Sequence, residues 1–578
     1  MALKPTRVVL PNGITVLAKA NHTSPTVSIL VGVRTGAYAD PPEKDGTAAL
    51  CARVLDRGTA KRTAEAIADD LDGRGASLSV IAARHQMALA ATCLADDFEP
   101  VLTLAADVAR HPGFPDQEIA TRREALITSI RQEEDNPATM AGDAFAKALY
   151  GDHPYARKVR GTIHGLESIR RQDLVRFHQK GFDPPLMTVV VVGDLVEEFA
   201  LAAITKLFGD WSPAAKTTGD KTSASAQAWA GHGAVVKIPD LAIPPERRLV
   251  TVPMMNKSQA DVVYGFVGVK RSDPEYHAIS VMNNALGQYA IGGRLGDSIR
   301  ERQGMAYYVF SSLEATFGPG PFTIRAGVSA SNVEKTISSI DQELDLVLTK
   351  GFTAQEIDES KSYMIGSLPR QLETNAAIAS FLLNVETFSL GLDYDERLPG
   401  LIGAVTKEAA DAAARRLLNP LKATIGVAGP WTPPPTLAKS SASSGAAGPP
   451  DTETGSMPAS GPQPVETPAI ASPPPPVEAP PIPSPPPPVE PPAIATAPPH
   501  VELPTTPAPD SPVEAASTSD PSLAFDLDSL FAPPPSLAES PTSSGETRPE
   551  AGAVTPDKPK PDPPPLGKAP SSSGETGS

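Results

Sequence analysis

Nine histidines are spread along this chain of 578 residues: His22, His85, His111, His153, His164, His178, His232, His277 and His500. The closest pair in the chain is His153 and His164. A zinc hydrolase built on one helix needs imidazoles at i and i+4, so that both leave one face toward one ion. That spacing is absent. A Walker loop and a Gly-x-Ser-x-Gly elbow are absent too, and "GQYAIGGRLG" has glycines without the dinucleotide spacing. One further stretch joins a helix pattern to a strand pattern across a glycine. "RLGDSIRERQGMAYYVF", Arg294 to Phe310, sets Arg300 and Tyr307 on either side of Gly304. The pattern predicts a helix that Gly304 stops and a strand that begins near Tyr307, so that a tight turn brings both side chains to one spot. Arginine offers a fork of donors to a carbonyl oxygen, and a phenol can stabilise an oxyanion. A blander arrangement has Arg300 paired with a surface acid and Tyr307 in the core, and spacing alone favours it.

The elements that must hold these residues come in two sets. "VGVRTG" from Val31 returns as "VGVKRS" from Val267, "GFPDQEI" from Gly113 as "GFTAQEI" from Gly351, and "VVVVGD" ending at Asp194 as "IGVAGP" ending at Pro430. Three matches in one order at nearly one offset predict two homologous halves. Each half reads as strand, helix, strand, a long helical hairpin and a closing strand. Asp96 and Glu99 are spaced as a capping box for a helix that Pro112 ends, and Gly351 closes its counterpart. "SLSVIAARHQMALAATC" is long enough to pair antiparallel. The expected fold class is α+β, each half an antiparallel sheet with helices packed on one side. The expected boundaries are residues 1–211 and 234–431 for the halves, 212–233 for a small, polar, flexible linker, and 432–578 for a tail.

Composition separates the tail from the body. Of 65 prolines, 41 lie between Thr432 and Ser578, with 17 acidic and 5 basic residues; the tail therefore carries −12 of the net charge of −17. Proline at that density excludes helix interiors and sheet ladders, so the tail reads as disordered, with polyproline II stretches. One island, "SLAFDLDSLF" at 522–531, has the apolar residues to dock on another protein or is a chance patch. The body has no basic excess, which argues against nucleic acid as a partner. Cys51 and Cys93 sit in apolar surroundings and suggest a reducing compartment or inert core packing, not a disulfide framework. No run reaches the roughly 18 apolar residues of a membrane span, and the start reads as strand, turn and strand around Pro11-Asn12-Gly13, not as a signal peptide. The expectation is a soluble, cytoplasmic protein.

Several stretches resemble one peptidase family. "LPNGITVL", "VGVRTGA", the frame "GTAALCARVLDRGT" (Gly46 to Thr59), "RQEEDNP" (Arg131 to Pro137), "HPYA" (His153 to Ala156) and "FGDW" (Phe208 to Trp211) are similar to the pitrilysin and insulinase family of inverted zinc peptidases, in its short bacterial and mitochondrial-processing form. Its signature is His-x-x-Glu-His. The likeness spans about Thr6 to Pro430 and implies two halves of one fold. Residue by residue, it places the family's metal-binding histidines on Ala49 and Arg53 and its catalytic glutamate on Ala52. The third metal ligand falls on Ser129, just ahead of Ile130. A methyl group cannot ligate, and a guanidinium is a permanent cation. Arg53 is expected instead to pair with a carboxylate such as Asp56. The family's arginine and tyrosine, which hold the substrate backbone and the scissile carbonyl, match Arg300 and Tyr307.

Metal residues erased and substrate residues kept imply a division of labour. Some bacterial members of the family split the two functions between two chains. The resemblance therefore implies a chain without metal or cofactor of its own, inactive alone, that supplies Arg300 and Tyr307 to a zinc-bearing family member in a heterodimer acting on peptides; Tyr307 would be its catalytic contribution. A second implication is a structural or binding protein that keeps the fold only.

Overall fold

The computed structural model describes residues 2–212, 238–239, 241–288 and 293–434. The expected linker apart from Ser212, the tail beyond Pro434 and the island at 522–531 lie outside the described residues. Two sheets organise the rest. The first contains β1 (Thr6–Val9), β2 (Thr15–Ala20), β3 (Thr26–Val33), β4 (Ser77–Ala82), β5 (Met87–Leu94) and β6 (Met187–Gly193), in the spatial order β1-β2-β6-β3-β5-β4. The second contains β7 (Arg248–Pro253), β8 (Gln259–Val267), β9 (Ala306–Leu313), β10 (Pro321–Ser329) and β11 (Thr424–Gly429), in the order β7-β11-β8-β10-β9. With β1 set aside, the two orders are the same. The repeated stretches fall at equivalent places: the ends of β3 and β8, the entries to the helices Asp116–Glu134 and Ala354–Gln371, and the closing strands β6 and β11. The described residues thus form two copies of one mixed α/β unit. Pairing is antiparallel apart from one parallel pair in each half, β2 with β6 and β7 with β11. Each closing strand returns from a long helical excursion, which can deliver it in either direction.

Each half buries one face of its sheet under its own helices, as the sequence predicts. The opposite face is covered by a helix from the other half. Pro137–Tyr150, which precedes β6 in the chain, packs on β7, β8 and β11; Asn375–Thr387, its counterpart in the second half, packs on β3 and β6. Asn136 and Thr374 cap the two helices by accepting from Ala138 N and Ala377 N. Glycine lets these helices approach so closely. A Cβ on Gly426 would stand 2.5 Å from the carbonyl oxygen of Ala141 and 3.0 Å from Phe145, one on Gly265 would meet the Phe145 ring at 2.9 Å, and one on Gly32 would meet Leu383 at 2.5 Å. Covered on both faces, β6 is buried at every position, and its run "MTVVVVG" is continuously apolar instead of alternating.

Local signals are mostly obeyed. Gly351, at φ +75°, ends the Val333–Lys350 helix. The capping box at Asp96 and Glu99 does not form. A 3₁₀ turn, Ala95–Asp97, precedes the helix Phe98–Arg110, and Asp97 is taken by Arg74 at 2.7 Å. Cys51 and Cys93 are free and buried. Among the described residues no helix is long and apolar enough to cross a membrane.

One buried histidine gives the fold a pH dependence. His178 lies in the helix Arg171–Gly181, shares a 2.8 Å hydrogen bond with the Ala109 carbonyl oxygen through Nε2, and sits against Phe182 and Phe114. Burial lowers its pKa to about 4, against about 6.5 when unfolded. The unfolded chain therefore binds the proton first, and this contribution to stability is full above about pH 6.5 and lost as pH falls toward about 4, at about 1.4 kcal/mol per pH unit. Asp40 acts in the opposite sense, since burial raises its pKa to about 7. Comparing His178→Gln with the parent separates the two. The pH slope of unfolding free energy between about pH 4.5 and 6 is expected to fall by about 1 kcal/mol per unit in the variant; equal slopes would remove His178 as the cause.

Candidate functional site

The Gly46–Thr59 frame is built as its glycines require. Gly46, at φ +104°, starts the helix Thr47–Leu55, and a side chain there would collide with Leu166 and with the backbone at Gly161. Asp40, itself buried, accepts from Gly46 N at 2.7 Å and Ala48 N at 2.8 Å, which satisfies donors the helix start leaves free. Gly58, at φ +128°, turns the chain out of the helix. Thr59 then donates to Asp107 at 2.9 Å.

The side chains on this helix do not fit a zinc ion. Ala49 is half-buried and Ala52 buried. Arg53 is exposed. Its expected pairing with Asp56 is not found: Asp56 is buried at the helix end and pairs with its neighbour Arg57 at 3.2 Å. Ser129 lies on the helix Asp116–Glu134, which packs against the Thr47–Leu55 helix. Its hydroxyl donates to Glu133 at 3.3 Å, and that carboxylate is held by Arg160 at 2.7 Å. The nearest acid is thus already engaged by a cation. Among the described residues no three His, Cys, Asp or Glu side chains converge as metal ligands.

The other half presents the donor pair. Arg300 lies in a π-helical segment, Gly296–Arg302. Gly304, at φ +61°, stops it, with its N–H bonded to the Arg300 carbonyl at 3.0 Å. β9 then starts at Ala306. Arg300 is exposed, and its closest carboxylate is the adjacent Glu301 at 3.6 Å. Tyr307 is 67% exposed and does not fill the core. The reason lies in the ladder. Tyr308 faces Gly327 and Ala306 faces Val328, so Tyr307 is the extra residue of a β-bulge. Strict alternation back from the buried Val309 would have put Tyr307 inward; the bulge seats Ala306 there instead. Tyr308, by contrast, donates its phenol to Asp261. Burial raises the pKa of Asp261. Among the described residues no hydrogen bond or ion pair joins Arg300 or Tyr307 to the Thr47–Leu55 helix. Each of the two elements is assembled within its own half.

The bulge and the Asp261–Tyr308 contact were beyond sequence reasoning. Two adjacent tyrosines at a strand start are the one signal in the chain that two faces are involved.

Comparison with known proteins agrees with this architecture. Residues 15–163 match the family model described as insulinase (peptidase family M16), and residues 168–364 match the one described as peptidase M16 inactive domain. The uncharacterized zinc protease YmxG of Bacillus subtilis is 25% identical over 414 residues, covering 72% of this chain and 95% of its own. An uncharacterized zinc protease of Mycobacterium leprae is 27% identical over 443 residues, 75% of this chain and 93% of its own. Among solved structures, the peptidase M16 inactive domain from Pseudomonas fluorescens superposes with a TM-score of 0.67 at 27% identity, covering 74% of this chain and 98% of that one. A protease from Helicobacter pylori shares the fold at 16% identity, with a TM-score of 0.66 over 74% of this chain and 99% of its own. With both of its sheets, its repeated topology and two models of one family in sequence order, the chain belongs to the insulinase, or M16, family of peptidases.

Proposed function

We propose that this chain is the non-zinc subunit of a heterodimeric zinc peptidase and supplies Arg300 and Tyr307 to the active site of a zinc-bearing family member. The observation that carries this reading is the contrast between the two elements. The helix that would hold metal bears Ala49, Ala52 and Arg53. The helix–turn–strand element keeps an arginine and a tyrosine, both exposed and neither tightly paired. Exposed donors without strong partners are available to a peptide. In this reading Arg300 donates to backbone carbonyl oxygens of the substrate. Tyr307 donates to the oxygen that gains charge as the scissile carbonyl becomes tetrahedral. Zinc, held by the partner, supplies the activated water.

The test is reconstitution. The purified chain alone is expected to hold no stoichiometric zinc and to hydrolyse no peptide. Mixed with a zinc-bearing family member from the same cell, it should yield peptidase activity that a chelator removes. One tightly bound zinc per chain, with activity of the isolated chain lost on chelation, would overturn the proposal.

A further inference from the structure

Two adjacent tyrosines, Tyr307 and Tyr308, stand where the ladder of β9 on β10 gains its extra residue. Before the bulge Ala306 faces Val328, and after it Val309 faces Ala326; all four side chains are buried. Between these fixed pairs two phenols oppose one residue, Gly327. Either tyrosine can sit opposite Gly327 and leave the other as the extra residue, because the two side chains are chemically identical. Register alone therefore does not choose which ring stays free.

A row across three strands makes the choice. Asp261 of β8 and Tyr308 of β9 both pair with Gly327 of β10, from opposite sides. The glycine leaves the path between them open, and the Tyr308 ring fills it: a Cβ on Gly327 would stand 2.5 Å from that ring. Neighbouring strands lie about 4.8 Å apart, so a phenol laid across one glycine spans the distance, and Tyr308 donates to Asp261 Oδ1. Asp261 is 7% exposed. Among the described residues its carboxylate has no ion pair, and Tyr308 is its one side-chain hydrogen-bond donor. A buried carboxylate without a donor is costly, and a hydrogen bond to a charged acceptor is among the strong ones. Tyr307, by contrast, is 67% exposed and finds no acceptor among the described residues.

We infer that Tyr308 and Asp261 are positioning residues for the Tyr307 donor: by occupying the single buried acceptor beside the bulge, Tyr308 leaves Tyr307 as the extra residue, aimed away from the sheet. The catalytic consequence rests on the reading of Tyr307 as donor to the scissile carbonyl; the choice between the two rings does not. Without the Tyr308 hydroxyl, Asp261 lacks its donor, and the nearest phenol in the ladder is Tyr307. Tyr307 then takes the place opposite Gly327, and its hydroxyl is withdrawn from the substrate side.

Nitration of the isolated full chain with tetranitromethane, read by peptide mass, follows the two rings without any partner. In the parent, Tyr307 should react and Tyr308 should be protected. Tyr308→Phe should slow nitration of Tyr307 about tenfold, the scale of one hydrogen bond to a charged group. Adding Asp261→Ala to Tyr308→Phe should restore the rate, a recovery that general damage to the sheet does not produce. In the reconstituted complex, Tyr308→Phe should lower kcat about tenfold with little change in KM, and the double variant should regain most of it. Nitration of Tyr307 at the parent rate in Tyr308→Phe, or no recovery in the double variant, overturns the inference. If nitration slows and recovers while kcat stays at the parent level, the choice between the rings stands and the subunit role of Tyr307 falls. If Tyr308→Phe does not fold, Asp261→Ala alone decides: Tyr308 should gain about tenfold in nitration rate, and a Tyr308 that stays protected overturns the inference.

Discussion

Replacing Tyr307 by phenylalanine is expected to lower peptide hydrolysis by the reconstituted complex about 100-fold, the scale on which loss of one oxyanion donor acts. The fold should not register the change. Tyr307 is two-thirds exposed on the bulge of an edge strand and makes no hydrogen bond among the described residues, so the variant removes a hydroxyl that contributes nothing to the core. The loss should appear in kcat and kcat/KM together, because the donor acts on charge that develops only in the transition state. Arg300→Ala should differ in kind: a residue that holds the substrate backbone in the ground state raises KM first. Arg302→Ala is the control, since Arg302 is exposed and paired with Asp297 at 3.0 Å. Full activity of Tyr307→Phe with an unchanged melt would remove shared catalysis and leave a family member that keeps the fold for structure or binding.

Phe145→Ala is expected to destabilise the protein by about 3–5 kcal/mol, the cost of emptying a large aromatic site. Phe145 belongs to the first half by sequence but is buried against the second sheet, over Gly265 and Gly426. Its loss should therefore loosen β8 and β11, although the helix that carries it belongs to the other half of the chain. Leu383→Ala, the reciprocal change over Gly32, should act on β3 and β6, at about 2–5 kcal/mol. Denaturant unfolding with amide exchange on both sheets checks this. A loss below about 1 kcal/mol, or protection lost only around Phe145, would show that the exchanged helices are accessory.

What made much of the fold legible was repetition. Three short matches, from Val31 to Val267, from Gly113 to Gly351 and from Asp194 to Pro430, share nearly one offset. They are enough to reveal the duplication, because two copies of one unit must keep the same strand ends and helix entries. The exchange of Pro137–Tyr150 and Asn375–Thr387 was not legible as such. Its trace is the unbroken apolar run in β6, which alternation does not explain, but a run buried on both faces does not say which helix covers the second one. The parallel pairing of β2 with β6 and β7 with β11 is likewise a choice made after the long helical excursions, where no turn residue fixes the direction.

The site divides along the same line. That Ala49, Ala52 and Arg53 cannot ligate zinc follows from side-chain chemistry alone, and so does the capacity of Arg300 and Tyr307 to donate. The stop at Gly304 is also a sequence property, since a left-handed residue ends a helix wherever it stands. Tertiary structure decided the rest. Arg53 has no bond to Asp56 because Asp56 is buried beside Arg57. Tyr307 faces outward because a bulge between Ala306 and Tyr308 shifts the ladder by one residue. Residue type sets what a side chain can do; its partners, and the face it occupies, are set by contacts that no local stretch encodes.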